Sequence, residues 1–445
     1  MTIEFKKVET PQKGVVIGNW HLAFCTVATL SAVGHKMVLA NSESGTQIWD
    51  KFPKCPVQEP DLEETLQKSR NEARLNFVNK LSEVNQPPDF AWVAIDTPVD
   101  ESDLPDPAPV EKAIREAAKT FPALKCIFVS SQIPLGFLSP LETECKVSIV
   151  YVPENLRLGK GLETFYKADR TALGANNPKA LFYAKNIMAS FSTEFLESNL
   201  PTAEMIKHAN NIFLATSISF ANELASIGES LGVDPIKVGQ ALRKDKRIGP
   251  AAYLIPGLGF AGGTLPRDLR VIQSLGRTHK KQTPLTDAVL NVNENVLAVL
   301  GEKVVGFLNQ HPELPRSVLI LGYTYKSDTN TLRRSPSIDL AKILKKKGLP
   351  VLGFDPAMAD EDLTPLKGLI ENISALETLS QIPGVCILMT GRPSFENISW
   401  PTLSKLSKSP ATLVLDTQNF FKNPKPLLEN NFSYQALWSQ IQNPG

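Results

Sequence analysis

Residues 14–40, GVVIGNWHLAFCTVATLSAVGHKMVLA, decide the fold of the first part of the chain. A short apolar run ends at Gly18, a stretch with a helical pattern follows, and a second apolar run, KMVLA, begins after Gly34. This order predicts a strand, a tight turn, a helix and a second strand. Units of this kind open the parallel sheets that bind dinucleotides.

Strand and helix patterns alternate along most of the remaining chain, which indicates parallel sheets with helices on both faces. A single long helix is predicted over 202–232, where apolar and small residues recur at helical spacing for about eight turns. We therefore predict an α/β protein with two Rossmann-like doubly wound domains, 1–200 and 311–445, joined by a helical domain, 201–310. The further strand candidates are 89–95, 125–131, 147–152, 317–327, 350–356, 384–390 and 412–419.

Composition excludes several classes of function. Of the 445 residues, 42% are hydrophobic and 21% are charged, and the formal net charge is +1, so nothing favours binding to nucleic acid or to an anionic membrane. No apolar run approaches the roughly 18 residues that span a bilayer, and the N-terminus lacks the apolar core of a signal peptide. Histidines are dispersed without a metal-ligand spacing. Scattered cysteines without a CxxC pair predict a cytoplasmic protein; they are Cys25, Cys55, Cys126, Cys145 and Cys386.

The order of short motifs resembles the UDP-glucose/GDP-mannose dehydrogenase family over nearly the whole chain. The matching motifs are VIGNWHLA, PVQEPDLEE with ARLNF, DTP, SSQIPLGF, VPENLRLG, IKHANNIFLA, DKRIG, YLIPGLGFAGGTLPRD, YKSDTNTLRRSP and DTQN. The resemblance implies oxidation of C6 of a nucleotide sugar to a carboxylate with two NAD molecules, through a thiohemiacetal and a thioester on a cysteine. It also implies a homodimer formed through the helix at 202–232.

The first turn departs from the dinucleotide pattern. Glycine is expected at three positions, and Gly18 fills the first, but Trp20 stands at the second and Ala23 at the third. The acidic residue expected after the next strand aligns with Asn41, whose amide cannot offer two charge-assisted hydrogen bonds to a ribose. Two interpretations stay open, a core that has lost its dinucleotide and a weak or rearranged NAD site. The resemblance places two further residues on the cofactor side, Thr97 and Pro98 of the DTP motif.

Four polar residues match the family's active site, and the position of its catalytic cysteine holds Thr264. A threonine hydroxyl is a far poorer nucleophile than a thiolate, and no activating base is evident nearby in the sequence. Within a family member, the lysine and asparagine would stabilise the oxyanion of the tetrahedral intermediates, and the aspartate would orient water and the lysine. The four matching residues are Glu154, Lys207, Asn211 and Asp268.

Two other family positions are also changed. Leu158 stands where a second glutamate would serve the hydrolysis step, and Gln132 replaces a threonine of the SSQIPLGF loop. In the family, these two positions and that of Thr264 serve the second oxidation and the hydrolysis of the thioester. The sequence therefore predicts that the four-electron reaction is lost.

The nucleotide-sugar side keeps its pattern. Glycines in the loop after Tyr253 would let the backbone approach a pyrophosphate or a sugar closely. Arg247 resembles the arginine that reaches the neighbouring subunit's site, although the loop from Arg247 to Gly259 is one residue longer than usual. The resemblance assigns the remaining contacts of a UDP-sugar to Tyr253, Gly257, Gly259, Gly262, Gly263, Lys326 and Arg333.

Three functions follow from this mixture of kept and changed positions. The first is a nucleotide-sugar-binding protein without full dehydrogenase activity. The second is an NAD-dependent oxidoreductase that stops at two electrons and releases a 6-aldehyde sugar. The third is non-redox chemistry on a nucleotide sugar, which no residue specifically favours.

Overall fold

The fold is that of a computed structural model, which describes residues 3–41, 57, 59–98, 105–153, 156, 159–168, 170–192, 194–324, 327, 332, 334–358, 363–406 and 412–444. The chain divides into two compact units, residues 1–210 and residues 211–445. This boundary falls within one long helix. The division at 200 and 310 into three domains therefore stays a prediction.

The first unit contains an eight-stranded sheet. Its strands are β1 (Lys13–Ile17), β2 (Lys36–Ala40), β3 (Leu75–Val78), β4 (Phe90–Val93), β5 (Cys126–Val129), β6 (Ile149–Tyr151), β7 (Thr171–Gly174) and β8 (Phe195–Ser198). Their spatial order is β3-β2-β1-β4-β5-β6-β7-β8. Neighbouring strands run parallel from β3 to β6, β7 is antiparallel to β6, and β8 is parallel to β7. The doubly wound parallel sheet is confirmed, although β3, β7 and β8 were not among the predicted strands. β8 gave no signal because its four residues include no buried apolar side chain.

Helices cover this sheet. They are α1 (His21–Ala32), α2 (Leu62–Asn71), α3 (Ala108–Thr120), α4 (Leu138–Cys145), α5 (Gly161–Tyr166) and α6 (Pro178–Met188). Every residue of α1 is buried, since the helix packs against α2 and α5 as well as against the sheet. The apolar character of α1 all round its axis reflects this enclosure.

Four helices follow the first sheet. They are α7 (Leu200–Glu229), α8 (Pro235–Lys244), α9 (Thr264–Thr278) and α10 (Pro284–Gln310). The long helix predicted over 202–232 is confirmed as α7. The start of α8 is set by Asp234, whose side chain accepts hydrogen bonds from the first-turn amides, and by Pro235 at the first helical position.

The second unit contains a six-stranded sheet in which every pair of neighbours is parallel. Its strands are β9 (Val318–Leu321), β10 (Val351–Phe354), β11 (Glu371–Asn372), β12 (Val385–Leu388), β13 (Leu413–Asp416) and β14 (Ser433–Ala436), in the order β11-β10-β9-β12-β13-β14. Alternate residues of β9 enter two separate cores, one on each face of the sheet. The helices of this part are α11 (Pro336–Lys346), α12 (Trp400–Ser404) and α13 (Lys425–Leu428). The second doubly wound sheet is likewise confirmed.

Candidate functional site

The turn between β1 and α1 separates two requirements for glycine. A Cβ on Gly18 would lie 2.3 Å from the carbonyl oxygen of Ala94 and 2.6 Å from the Cβ of Ala23, so packing of the turn itself excludes a side chain. Trp20, the residue before α1, has φ −136°, which any residue adopts, and its side chain is 51% exposed. The fold therefore demands glycine at position 18 and accepts an indole at position 20.

The other predicted cofactor residues lie at the carboxyl edge of the same sheet. Asn41 directly follows β2 and is buried, with its backbone N–H donating to the carbonyl of Val78 at 3.2 Å. Thr97 lies beyond β4 and donates from Oγ1 to the carbonyl of Gln132 at 2.6 Å. Pro98 is exposed. These residues gather where a doubly wound sheet binds its ligand.

The first turn of α1 is bonded to a carboxylate that sequence analysis did not assign. The Nε2 atom of His21 lies 2.8 Å from Oε2 of Glu59, whose side chain is fully buried. The same carboxylate accepts the backbone N–H groups of Gly159 at 3.0 Å and Gly161 at 2.5 Å. Glu59 belongs to the PVQEPDLEE motif, and its position in that motif was the only sequence feature that could have pointed to it. The Glu59 carboxylate thus joins the first turn of α1 to residues 159–161.

The first turns of α7 hold the SSQIPLGF loop in the first unit. Glu204 accepts the backbone N–H groups of Gly136 at 2.5 Å and Leu138 at 3.1 Å, and Nε2 of His208 lies 3.1 Å from the carbonyl oxygen of Ile133. Burial raises the pKa of the Glu204 carboxyl, against the opposing effect of these two backbone donors. The loop is fixed by groups adjacent in sequence to Lys207, the predicted catalytic lysine, which is itself buried.

Three predicted catalytic residues lie close together in the second unit. Asn211, on α7, donates a hydrogen bond from Nδ2 to Oδ2 of Asp268, on α9, and both side chains are buried. Thr264 is the first residue of α9, one turn before Asp268, and is exposed. Among the described residues, none accepts a hydrogen bond from the Thr264 hydroxyl. The arrangement keeps a polar pair beside this threonine without supplying it with a base.

The glycine loop before α9 contains left-handed backbone and is partly exposed. Gly259 and Gly262 have φ values of +86° and +78°, a region that glycine adopts without penalty. A Cβ on Gly257, in contrast, would make only an ordinary contact, 3.6 Å from the carbonyl oxygen of Thr417. The ring of Tyr253 is 54% exposed. The loop therefore places partly exposed glycines close in sequence to an exposed aromatic residue.

Arg247, another predicted substrate residue, lies in the segment after α8. Arg247 is exposed and forms two hydrogen bonds to the carboxylate of Asp245, Nε to Oδ1 at 3.0 Å and Nη2 to Oδ2 at 2.6 Å. This pairing lowers the pKa of Asp245. Five residues named in the sequence analysis lie outside the described residues: Cys55, Glu154, Leu158, Lys326 and Arg333.

Cysteine chemistry finds no support in the described part of the chain. Four cysteines there are free thiols, and Cys386 lies within β12. Full burial raises the pKa of the Cys386 thiol to about 12, which disfavours the nucleophilic thiolate. Among the same residues, no three histidine, cysteine or acidic side chains form a group that could hold a metal ion. None of the described helices combines the length and apolar character that crossing a bilayer requires.

The matches to known proteins cover nearly the whole chain. Three domains of one family match in order: the NAD binding domain at 12–192, the central domain at 201–295 and the UDP binding domain at 319–423. The chain is 30% identical over 439 residues to the UDP-glucose 6-dehydrogenase of Rickettsia typhi, covering 96% of this chain and 99% of that protein. It is 26% identical over 418 residues to the UDP-glucose 6-dehydrogenase TuaD of Bacillus subtilis, covering 92% and 90% of the two chains.

A solved structure agrees with these matches. The UDP-glucose dehydrogenase of the archaeon Pyrobaculum islandicum superimposes with a TM-score of 0.80 at 26% identity, covering 97% of this chain and 98% of that one. The order of the matched domains follows the two sheets and the helices between them. The chain belongs to the UDP-glucose/GDP-mannose dehydrogenase family.

Proposed function

We propose that this family member binds a nucleotide sugar through its second unit and does not oxidise the sugar to a uronate. The UDP binding domain match supports a nucleotide-sugar ligand. The glycine loop and the Asn211–Asp268 pair support a retained sugar side. The departures concern the groups that would accept hydride and form the thioester.

One observation carries this proposal: glycine is absent where only a dinucleotide would need it and present where only a sugar nucleotide would need it. Position 20 tolerates a side chain without backbone strain and holds a half-exposed indole. Position 257 would also tolerate a Cβ, since the nearest atom is 3.6 Å away, yet it holds glycine. A ligand that approaches the backbone closely explains the second case, and the loss of such a ligand explains the first.

The residues of the β1–α1 turn do not fit NAD. A pyrophosphate would have to approach the backbone where the indole of Trp20 stands, and Asn41 lacks the carboxylate that binds ribose hydroxyls. In addition, His21, in the first turn of the helix, is engaged by the buried carboxylate of Glu59. We therefore derive no hydride-transfer step for this chain.

The covalent half of the family reaction also lacks its group. An alcohol hydroxyl keeps its proton at neutral pH far more tightly than a thiol, so Thr264 needs a base to attack an aldehyde. Asp268 is committed to Asn211 and buried. What remains is a polar cleft that can orient a sugar without forming a covalent bond to it.

Isothermal titration tests the proposal directly. We expect UDP-glucose to bind with a micromolar dissociation constant and NAD to show no measurable heat. UDP alone serves as a control for the nucleotide part, and ADP-ribose as a control for the dinucleotide part. NAD affinity in the range of ordinary dehydrogenases, or conversion of UDP-glucose to UDP-glucuronate at an enzymatic rate, would refute the proposal.

The buried Asn211–Asp268 pair favours one second candidate, a two-electron oxidoreductase that releases a 6-aldehyde sugar. Polar groups of this kind could still orient a C6 hydroxyl. The discriminating measurement is NADH formed per UDP-hexose supplied. One equivalent establishes this candidate, two equivalents indicate the complete family reaction, and none above background removes both.

We also propose that the chain is a homodimer joined through α7. An apolar stripe at helical spacing is exposed on this helix, a feature that indicates a protein partner. Its members are Phe213, Phe220, Leu224 and Ile227. The double variant Phe213→Asp/Phe220→Asp should sediment as a monomer, whereas Phe182→Asp, which changes an exposed phenylalanine on α6, should not alter sedimentation. An unchanged dimer in the double variant would contradict this interface.

A further inference from the structure

The glycine loop has an unusual support, because side chains from distant segments bind its backbone. The N–H of Gly257 donates to Oδ1 of Asn222, on α7, at 2.7 Å. The carbonyl of the same glycine accepts from Nε1 of Trp438, in the segment after β14, at 3.2 Å. Both backbone groups of Gly257 are therefore fixed from outside the loop.

The second fixed point is Phe260, whose two backbone groups pair with one amide side chain. Its N–H donates to Oδ1 of Asn293, on α10, at 2.7 Å, and its carbonyl accepts from Nδ2 of the same residue at 3.0 Å. Gly259 lies directly against this amide, since a Cβ there would be 2.2 Å from Oδ1 of Asn293. Asn293 thus fixes the position of Phe260 and adds a steric reason for glycine at position 259, where φ is already +86°.

Two features indicate that these supports serve something other than stability. Trp438 is buried and has φ +68°, a conformation that is a genuine outlier for so large a residue. Asn222 is buried too, and its Nδ2 finds no hydrogen-bond partner among the described residues. A left-handed tryptophan and an unsatisfied buried donor are both destabilising. An apolar side chain in place of Asn222 would avoid the second penalty but would release Gly257.

We propose that Asn222, Asn293 and Trp438 are positioning residues, which hold the backbone of residues 257–260 in the conformation that receives a nucleotide sugar. The proposal rests on the proposed function for the identity of the ligand. On this proposal, three side chains outside the family motifs determine the conformation of the loop. Each acts through the loop backbone and none needs to touch the ligand.

Amide hydrogen exchange at single-residue resolution tests the support without any ligand. Asn293→Leu should speed exchange at the Phe260 amide about tenfold or more and leave Gly257 protected, while Asn222→Leu should do the reverse. Asn291→Leu, an exposed asparagine on the same helix as Asn293, is the matched control and should change neither amide. Equal exchange in the wild type and in both variants would overturn the support.

Titration with UDP-glucose tests what the support is for. Asn293→Leu should weaken binding about tenfold and shift the unfolding midpoint by less than about 3 °C. Trp438→Phe, which removes the indole N–H together with part of the buried ring, should also weaken binding about tenfold. Trp400→Phe, in the core on the other face of the second sheet, is the matched control and should keep wild-type affinity. Faster exchange with unchanged affinity would overturn the positioning role. Absence of binding in the wild type would refute the proposed function, and the exchange experiment would still decide the support.

Discussion

The turn after β1 and the glycine loop before α9 differ in which positions hold glycine. In the turn, Gly18 remains where a side chain would strike the backbone of Ala94, and tryptophan occupies the position whose conformation any residue can adopt. In the loop, glycine remains both at Gly259, where φ is +86°, and at Gly257, where a Cβ would fit. The two regions therefore differ in whether glycine persists beyond what the fold requires.

This difference distinguishes glycines that the fold requires from glycines that a ligand would require. A position that packing alone fixes says nothing about a ligand, because any family member that folds must keep it. A position that packing leaves open is informative, since its residue reflects what else approaches the backbone. By this criterion we propose that the first turn serves only the fold and that the loop is a binding site.

The strongest test of the comparison is Gly18→Val set against Trp20→Val. The first change forces a side chain against a backbone oxygen and should lower the free energy of unfolding by about 3 kcal/mol. The second change, at a half-exposed residue, should stay within about 0.5 kcal/mol. Chemical denaturation measures both values. Similar free energies for the two variants would remove the distinction between fold-required and ligand-required positions.

A smaller effect is expected in the loop, where Gly259→Ala combines strain with a clash. The methyl group meets Oδ1 of Asn293 in a left-handed backbone, so we expect a loss of about 2 kcal/mol in unfolding free energy and a parallel loss of UDP-glucose binding. Gly249→Ala is the matched control, with φ +89° and no atom near the added methyl. The two variants would behave alike if the contact with Asn293 were unimportant.

Gly257→Ala sharpens the comparison further, because it should affect binding alone. We expect the dissociation constant of UDP-glucose to rise about tenfold, equivalent to about 1.4 kcal/mol, with unfolding free energy changed by less than about 0.5 kcal/mol. Titration and denaturation of the same preparation give the two numbers. Wild-type affinity in this variant would mean that no ligand approaches the loop backbone at position 257.

The smallest expected effect is the gain from Trp20→Gly. Removing the indole reopens the approach to the backbone, while Asn41 still lacks a carboxylate, so we expect isothermal titration to detect only weak NAD binding where the wild type gives no measurable heat. Adding Asn41→Asp should increase it again. A double variant without detectable NAD binding would show that the obstruction lies elsewhere in the turn.

The fold could be predicted in most of its elements because its strands are continuous apolar runs and α7 keeps a helical pattern throughout. Five strands were not predicted: β3, β7, β8, β11 and β14. The residues of β8 and β11 are largely exposed, and β3, β7 and β14 are four-residue strands whose apolar pattern is interrupted by polar residues or glycine. For the candidate site, motifs singled out Asn211, Asp268 and Thr264, which the structure brings together, and their roles stay predictions. Sequence analysis did not single out Glu59, Asn222, Asn293 and Trp438, because the partners of their polar groups are backbone atoms far away in sequence.

The sequence by itself determined the two doubly wound sheets, because strands and helices have local patterns. Residue identity within the family motifs showed that Thr264 stands at the cysteine position and Trp20 in the first turn. Only the tertiary structure decided which glycines the fold requires and that the carboxylate of Glu59 contacts His21. It also decided that side chains from α7, α10 and the segment after β14 form hydrogen bonds to the backbone of one loop. The physical reason is that local patterns reflect burial and backbone preference, while clashes and side-chain-to-backbone hydrogen bonds exist only after distant segments have packed.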